Sequence, residues 1–588
     1  MKNKYLSLIC AGLLLTASFT GCEDDVIEPA INSNLGTTID KADIQTEEDL
    51  HIRDKNLIYE NQNNTEIVTM YLTVSMGNSA ENTDHTWEEI NTYSAYDYDE
   101  MGVERYKIAG LIQVGDENGL IPGELGYGQV APNCTVQIRG QSSSRNIQKN
   151  YKISIKDNKG DWRGQTTIAL NKHQGDGLRF RNKLGFDLLT GIDELMSLRT
   201  TFVRLYVKDT TAGPDAKFED YGIYTQVEQL NKTALERHGL DKKGHLYKIN
   251  FCEFYRYEDI IVPSDDSNYN LAAFEEILEV KGDDDHVKLI RLLERVNDYS
   301  IPIETILEED LDIENIAYWM AFQLLVGNVD TQSRNFYIYS PLNGERFYIL
   351  SWDLDGAFKR TEYDLLKRND YTEWEKGVSN YWGNVLFRRC LQSDVYRAKL
   401  DEAVDSLYAK LTDGRLASYA KSYSELLKPL VFKGRDALAM PITAVQYDII
   451  SNSLVDEVQD NYASYKESYT KPMPFYIGVP TVDGEKISLL WDTSYTFDAE
   501  AISYTFELAA DYNFTNPIVK ITDIKIPTVQ FDVLPAGQYF IRVTAKDDGG
   551  QTQTAFDAYM TENGKMYGVK SFYVDQNGQI AEDIYVET

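Results

Sequence analysis

Cysteine and histidine are scarce in this chain, and positive charge runs well behind negative. Five Cys and six His are spread over 588 residues. No CxxC pair and no HExxH occurs, which excludes the common zinc spacings and a zinc hydrolase of that kind. Cys134, Cys252 and Cys390 stand far apart, so this odd set of thiols reads as small buried apolar side chains rather than a disulfide framework. Lys and Arg number 58 against 93 Asp and Glu, a formal charge of −35. A surface of that sign repels phosphate backbones, which argues against nucleic acid as a partner. A nucleotide would need its own local cations and a divalent ion.

The apolar share is 43% and the aromatic share 12%, enough for a large core and too much for global disorder. At roughly 100–200 residues per domain, the length predicts two to four domains. The N-terminus has Lys2 and Lys4, an apolar run from Tyr5 to Ala17, then "FTGC". That run is shorter than the ~20 residues of a membrane span, and its layout is that of a signal peptide. "TGC" resembles a bacterial lipobox. The resemblance implies cleavage after residue 21, lipid on Cys22 and attachment to a membrane. "EDD" after Cys22 resembles the acidic export signal of surface lipoproteins in Bacteroides-like bacteria, which places the chain in the cell envelope, at the outer membrane. Residues 22–65 are polar and acidic and read as a tether.

From residue 66 the pattern changes. "EIVTMYLTV" reads as a strand, and "TVQIRGQSSSRNIQKNYKISIKD" as strand, small-residue turn and strand with period-two alternation. In "RFRNKLGFDLLTGI", Phe180, Leu184, Leu188 and Ile192 recur on one helical face. "TTFVRLYVKD" and "DYGIYTQVEQL" read as a strand pair. Residues 66–250 are thus a strand-rich lobe. Residues 251–470 are helix-rich, with helices predicted in "LAAFEEILEV", "HVKLIRLLERVNDY", "IENIAYWMAFQLLVG", "YRAKLDEAVDSLYAKL" and "SYSELLKPLV". One hairpin-like pair, "NFYIYSP" and "ERFYILSWD", interrupts them. The fold class is α+β with two lobes. Residues 474–588 carry short alternating strands, with Trp491 as the buried aromatic. Within them "LPAGQYFIRVTAKD" resembles the late strand of a fibronectin type III module, with Tyr539 near its corner.

Chemistry concentrates in "VGNVDTQSRNFYIYSPLNGERFYILSWDLDG", Val326 to Gly356. Asp330 and Asn335 have the spacing that lets a carboxylate face an acceptor hydroxyl while an amide oxygen turns back towards phosphates. Asp353 and Asp355 follow a hairpin. Mg²⁺ takes hard oxygen ligands, and one or two carboxylates suffice beside substrate phosphates. Lys152, Ser154 and Lys156 alternate along one strand face, as a solvated face also does.

Taken in order, "RGQSSSRNIQKNYKISI", "RNKLGFDLL", "YGIYTQVEQLNK", "LYK", "GNVDTQSRNFYIY" and "WDLDGAF" resemble the spore-coat-protein-H (CotH) kinase family over about residues 66–440. The resemblance implies an atypical protein-kinase-like fold that uses ATP with Mg²⁺ or Mn²⁺ to phosphorylate protein Ser or Thr. It casts Asp330 as the residue orienting or deprotonating the acceptor. Asn335 and Asp353 become metal ligands, with Asp355 as a ligand or beside one. Lys149 or Lys152 would neutralise phosphates, helped by Arg139, and Glu228 would sit by adenine or ribose. Several kinase marks are missing: there is no GxGxxG, "GNVD" stands for HRD and "DLD" for DFG. The helix "RNKLGFDLL" offers only Asp187 to pair with a strand lysine, leaving Arg181 or Lys183 as further phosphate candidates. Two rival readings are a non-catalytic surface scaffold for adhesion or glycan handling, and a kinase of a carbohydrate or small molecule.

Overall fold

The computed structural model describes residues 51–60, 65–368, 373–561 and 564–583. The predicted signal peptide, Cys22 and most of the tether lie outside the described residues. Among the described residues, no helix is long and apolar enough to cross a membrane.

The first half is built on β1 (Ile67–Ser75), β2 (Ile108–Asp116), β3 (Gly119–Leu120), β4 (Cys134–Arg139), β5 (Asn150–Ile155), β6 (Thr167–Asn171), β7 (Thr200–Asp209) and β8 (Phe218–Glu228). Pairing runs β1-β7-β8-β6-β5-β4-β2, and β2 returns to β1, so seven strands close into a barrel with β3 folded back on β2. Only β1 with β7 is parallel. The alternation explains the closure. β4 buries Cys134, Val136 and Ile138 in the barrel, and β5 buries Tyr151, Ile153 and Ile155. The opposite faces carry Gln137 and Arg139 on β4, and Asn150 and Lys152 on β5. In register, Gln137 faces Lys152 and Arg139 faces Asn150.

Two short helices, α1 (Trp87–Thr92) and α2 (Ala95–Met101), follow β1. Each begins with a reciprocal cap, Thr86 with Glu89 and Ser94 with Asp97. Helix α3 (Arg181–Leu189) lies between β6 and β7. Sequence periodicity gives it one apolar face, yet all nine residues are buried. It packs against the outer face of β7 and β8, where Phe202, Ile223 and Val227 join the second lobe's core.

The second lobe holds α4 (Lys232–Arg237), β9 (His245–Ile249), α5 (Leu271–Ile277), β10 (Leu278–Val280), α6 (Val287–Asn297), α7 (Ile303–Glu309), α8 (Ile313–Val326), β11 (Phe336–Ser340), β12 (Tyr348–Ser351), α9 (Arg360–Leu366), α10 (Val385–Gln392), α11 (Asp394–Thr412), α12 (Arg415–Val431), α13 (Gly434–Ala437) and α14 (Ala444–Ser468). Its sheet has the order β10-β9-β11-β12. The β11–β12 hairpin is antiparallel, as expected. Two boundaries are corrected. The lobe division expected at residue 250 falls earlier, because β9 belongs to the second sheet. The helix predicted through Val280 ends at Ile277, because its β-branched and apolar tail pairs with β9 as β10. Helix α8 is the spine: Asn315 clamps the Ile349 backbone, accepting its N–H at 2.7 Å and donating to its carbonyl at 3.2 Å.

Beyond α14 the chain is all-β, from β13 (Thr481–Asp483) to β23 (Ile580–Glu582). Its two larger sheets share one core that includes Leu489, Phe506, Phe531 and Val543. Trp491 is buried, and the Tyr539 hydroxyl donates to the Pro535 carbonyl at 2.9 Å. Trp382 stacks on Tyr495 with ring centroids 5.0 Å apart, joining this region to the helical lobe.

One further correction concerns the tether. Residues 51–60, read from sequence as part of it, are docked on the lobes. Ile52 and Tyr59 are buried, and Asp54 reaches His238 Nδ1 at 2.7 Å. Tyr59 donates to Asp54 at 2.5 Å, and the Ser197 N–H does so at 3.1 Å. His238 Nε2 faces Glu228 at 3.0 Å, and Arg199 pairs with the same carboxylate. Burial alone would lower the His238 pKa, but Asp54 and Glu228 lift it to about 9. Burial opposes ionisation of Glu228, yet His238 and Arg199 hold it down at about 2.

The sign of the pH dependence follows. His238 is more basic folded than unfolded, so its stabilisation is complete below its unfolded pKa of ~6.5 and is lost as pH rises through about 9. Glu228 is more acidic folded, so its share is present above ~4.3 and is lost as pH falls through about 2. We expect urea stability to drop by on the order of a few kcal/mol between pH 6.5 and 9. His238→Gln should flatten that slope relative to the parent. An unchanged slope in the variant would remove His238 from the account.

Candidate active site

Helix α8 is wholly apolar at its end and stops at Gly327, whose φ of +64° lets the chain reverse. The loop that follows is pinned from below. Thr331 donates to the Asn328 carbonyl at 3.0 Å, and the Tyr381 hydroxyl meets Thr331 at 2.9 Å. Asn380 donates to the Val329 carbonyl at 3.1 Å. This presents Asp330. Asn335, just before β11, adopts a left-handed φ of +62°. Its amide nitrogen donates to Asp330 Oδ2 at 2.7 Å, which leaves its Oδ1 for a ligand. The five-residue spacing therefore does bring these two side chains together.

The other acids arrive from the far end of the hairpin. After β12, Asp353 takes a φ of +51°, a conformation rare for a non-glycine residue and held only where the surroundings enforce it. The enforcement comes from α3. Asn182 accepts the Leu354 N–H at 3.1 Å, and Gly185 lets the helix lie directly on Leu354. Asn182 also meets His173 Nε2 at 3.1 Å, and His173 Nδ1 reaches Asp355 Oδ2 at 3.1 Å. Asp330 and Asp355 keep 44% and 42% of their side-chain surface open to the cleft. A Cβ on Gly356 would lie 3.8 Å from that of Asp330, so the two acidic loops adjoin.

The electrostatics are those of crowded carboxylates. Burial, then the Asp355 charge, pushes the Asp353 carboxyl well above the usual range. Burial acts the same way on Asp355, but His173 and Lys359 overcome it and hold that carboxyl below the usual range. Burial raises Asp330 despite Arg334, whose Nε donates to it at 2.6 Å. Across the cleft, on the outer face of the barrel, Arg139 bonds Asn171 and lies 6.0 Å from the Trp352 ring, within electrostatic reach of Asp353. Lys152 beside it has no carboxylate partner among the described residues. Burial lowers its pKa, and the nearby cations Lys281, Arg139 and Lys107 lower it further. An unpaired cationic patch opposite crowded acids is the field a polyphosphate with a bound cation would complete.

The sequence expectations divide accordingly. Asp330, Asn335, Asp353 and Asp355 come together, Arg139 lies within electrostatic reach of Asp353, and Lys152 lies beside Arg139 on the same barrel face. Lys149 does not join them: it faces the other side of β5, where its ammonium caps the "QSSSR" turn through the Ser144 carbonyl at 2.6 Å. Glu228 does not either, because both its oxygens are engaged by Arg199 and His238 at the end of β8. Arg181 is buried between Asp176 and Glu362, and Lys183 pairs with Asp187 at 2.8 Å within α3, so neither faces phosphate. Asn171, His173, Asn182 and Arg334 were missed. Only Arg334 carried a local signal, lying inside the Asp–Asn spacing.

Among the described residues, no three His, Cys, Asp or Glu side chains converge as a complete metal cage. The donor set still fits Mg²⁺ or Mn²⁺, which draw on one or two carboxylates and take the rest of their oxygens from phosphate and water. Asp353, with no hydrogen-bond partner among the described residues, is the group such an ion would neutralise.

The family described as CotH kinase protein matches residues 136–468, more than half of the chain and every cleft residue named above. The chain belongs to the CotH kinase family. Membership in that family supports a kinase-type function that uses ATP. No curated protein matches. Among solved structures, the chain is similar to the twitchin kinase region from C. elegans at 18% identity, covering 17% of this chain and 20% of that one, with a TM-score of 0.12. It is similar to the Helicobacter pylori proinflammatory kinase CtkA at 10% identity, covering 54% of this chain and 94% of that one, with a TM-score of 0.27. The chain thus spans one fifth of the twitchin chain, and at these TM-scores neither likeness bears on the fold.

Gly185 makes the helix-to-turn contact testable. A methyl there would lie 2.7 Å from Leu354, closer than carbon atoms pack. Alanine normally improves a helix by ~1 kcal/mol, but Gly185→Ala should instead cost about 1–3 kcal/mol and weaken nucleotide binding by displacing Asp353. Equal or higher stability with unchanged affinity for Mn-ATP would show that the turn does not depend on this contact.

Proposed function

We propose that this chain transfers the γ-phosphoryl of ATP to a Ser or Thr hydroxyl of a protein, with Mg²⁺ or Mn²⁺. The observation that carries the reading is Asp330 and Asp353 held in one acidic cluster within reach of Arg139, with Lys152 beside that arginine. Asp353 and the Asn335 amide oxygen would hold the ion, with Asp355 beside it. The bound ion would neutralise phosphate charge as it moves to the leaving group. Arg139 and Lys152 would bind the phosphates from the barrel side. The acceptor oxygen forms a bond to the γ-phosphorus while the bond to the bridging oxygen breaks, ADP leaves, and Asp330 takes the hydroxyl proton. Arg334, stacked 5.4 Å from exposed Phe251, puts a guanidinium where that transfer occurs. Catalysis on this account is positioning and preorganised charge.

The remaining proposals concern place and context. The lipobox-like "TGC" supports attachment through lipid on Cys22, in the cell envelope. The residues from 474 onward, all-β in their described part, fit a fibronectin-like spacing or docking module. The scaffold and small-molecule readings share this fold and differ in what the cleft binds.

Asp353→Ala should abolish Mn-ATP binding by calorimetry. Asp330→Ala should keep binding and lose transfer by on the order of 10²-fold or more. Lys152→Ala should weaken nucleotide binding. Metal-independent or absent binding in the parent would favour the scaffold, and variants that label substrate like the parent would end the kinase assignment.

A further inference from the structure

Residues 374–384, between α9 and α10, make contacts in two directions. On one side they hold the loop that presents Asp330. Asn380 Nδ2 donates to the Val329 carbonyl at 3.1 Å, the Tyr381 hydroxyl meets Thr331 at 2.9 Å, and Asn384 Nδ2 donates to the Gln332 carbonyl at 2.9 Å. Loop carbonyls taken out of water need such donors. The other end of Asn384 caps α10, where its Oδ1 accepts the Leu386 N–H at 3.1 Å. Leu386 and Phe387 are fully buried, so the hold on the loop is anchored in the core.

On the other side the same segment carries the all-β region. Trp374 meets the rings of Phe556 and Tyr567 at 5.0 and 6.0 Å, and Trp382 those of Tyr495 and Phe497 at 5.0 and 5.9 Å. Gly383 permits the close approach: a Cβ there would lie 3.1 Å from the Tyr476 hydroxyl and 3.6 Å from the Phe556 ring. Local geometry makes the segment two-sided. The Trp382 and Asn384 N–H groups bond three residues back, to the Ser379 and Tyr381 carbonyls, both at 3.2 Å. In so tight a turn residues three apart share a side. Tyr381 and Asn384 therefore meet the loop together, while Trp382 and Gly383 between them meet the β region. Both tryptophans are buried, and baring such rings to water is costly.

We propose that the all-β region is a positioning element for the Asp330 loop: seated on Trp374 and Trp382, it fixes residues 380–384 and, through them, the place of Asp330. The role of Asp330 rests on the kinase reading, whereas the mechanical coupling does not. Asn380, Tyr381 and Asn384 are positioning residues on this account, since they touch the loop and not the reacting atoms. A misplacement of ~1 Å at a group that takes a proton can cost on the order of 10²-fold in rate. Nucleotide affinity, drawn from Asp353 and the barrel cations, should survive the same shift.

The test uses the full chain and two variants on the β-region side of the segment, Trp374→Ala and Tyr495→Ala, so that one may fail to fold. The Cys252 N–H bonds the Ser333 carbonyl at 2.9 Å and so reports the seat of the loop. Its hydrogen exchange, measured without nucleotide, should run about 10-fold faster in either variant, with exchange in β4 unchanged. Transfer should fall by on the order of 10-fold or more, with Mn-ATP affinity by calorimetry within about twofold of the parent. Tyr495→Phe keeps the ring stack and should match the parent in both. Parent-like exchange at Cys252 in a folded variant, equal acceleration at Cys252 and in β4, or a loss of affinity as large as the loss of transfer would each overturn the proposal. Should the parent transfer no phosphate, the kinase reading fails and the exchange result alone decides this one.

Discussion

A single buried guanidinium organises the approach to the active cleft. Arg181 has no solvent exposure. It pairs with Asp176 and, at 2.6 Å, with Glu362, and donates to the Phe358 carbonyl at 2.9 Å. Those partners lie on the segment after β6, at the start of α9 and just past the Asp353–Asp355 turn. Arginine alone among the basic side chains offers enough planar donors to satisfy three such partners at once. A buried ion network of this kind adds little net stability, because desolvation consumes most of the attraction. Its contribution is position. With Arg181 held, His173 is held on one side of the turn and Phe358 on the other, and His173 meets Asp355 at 3.1 Å.

The barrel and the helical lobe then act as two walls with opposite charge. The barrel wall carries Arg139 and Lys152 on an outer face, because strict alternation on β4 and β5 sends their neighbours inward. The other wall carries acids at loop ends, where the backbone is unusual: Asn335 and Asp353 are both left-handed. The walls are fastened elsewhere by Lys172, whose ammonium lies 2.5 Å from Asp436 at α13, both side chains buried. Separating the lobes would expose that pair to solvent.

Much of this was legible in the sequence wherever the cause was local. Period-two alternation located β4 and β5, and β-branched runs located β1, β7 and β8. Spacing alone paired Asp330 with Asn335, because five residues of loop cannot carry them far apart. Contacts across long separations were not legible. His173 and Asp355 are 182 positions apart, and nothing near either one announces the other. Glu228 looked like a ligand because it ends a strand at the lobe junction, but its partners come from Arg199 and from His238, which Asp54 braces. Lys149 and Lys152 differ by three positions and therefore by strand face, a distinction that needed the observed start of β5. The helix α3 read as amphipathic, yet its polar side chains are all buried in ion pairs and caps that only the tertiary structure supplies.

Because β2 returns to β1, the barrel offers no unpaired strand along its circumference. An extended polypeptide therefore cannot join it by adding a strand, the commonest way a sheet captures a peptide through backbone bonds alone. On the protein-kinase reading proposed above, a polypeptide acceptor that docks on the barrel would be read by side chains rather than by an added strand. Selectivity for such a partner should be easy to retune by surface substitution and hard to broaden by loosening the sheet.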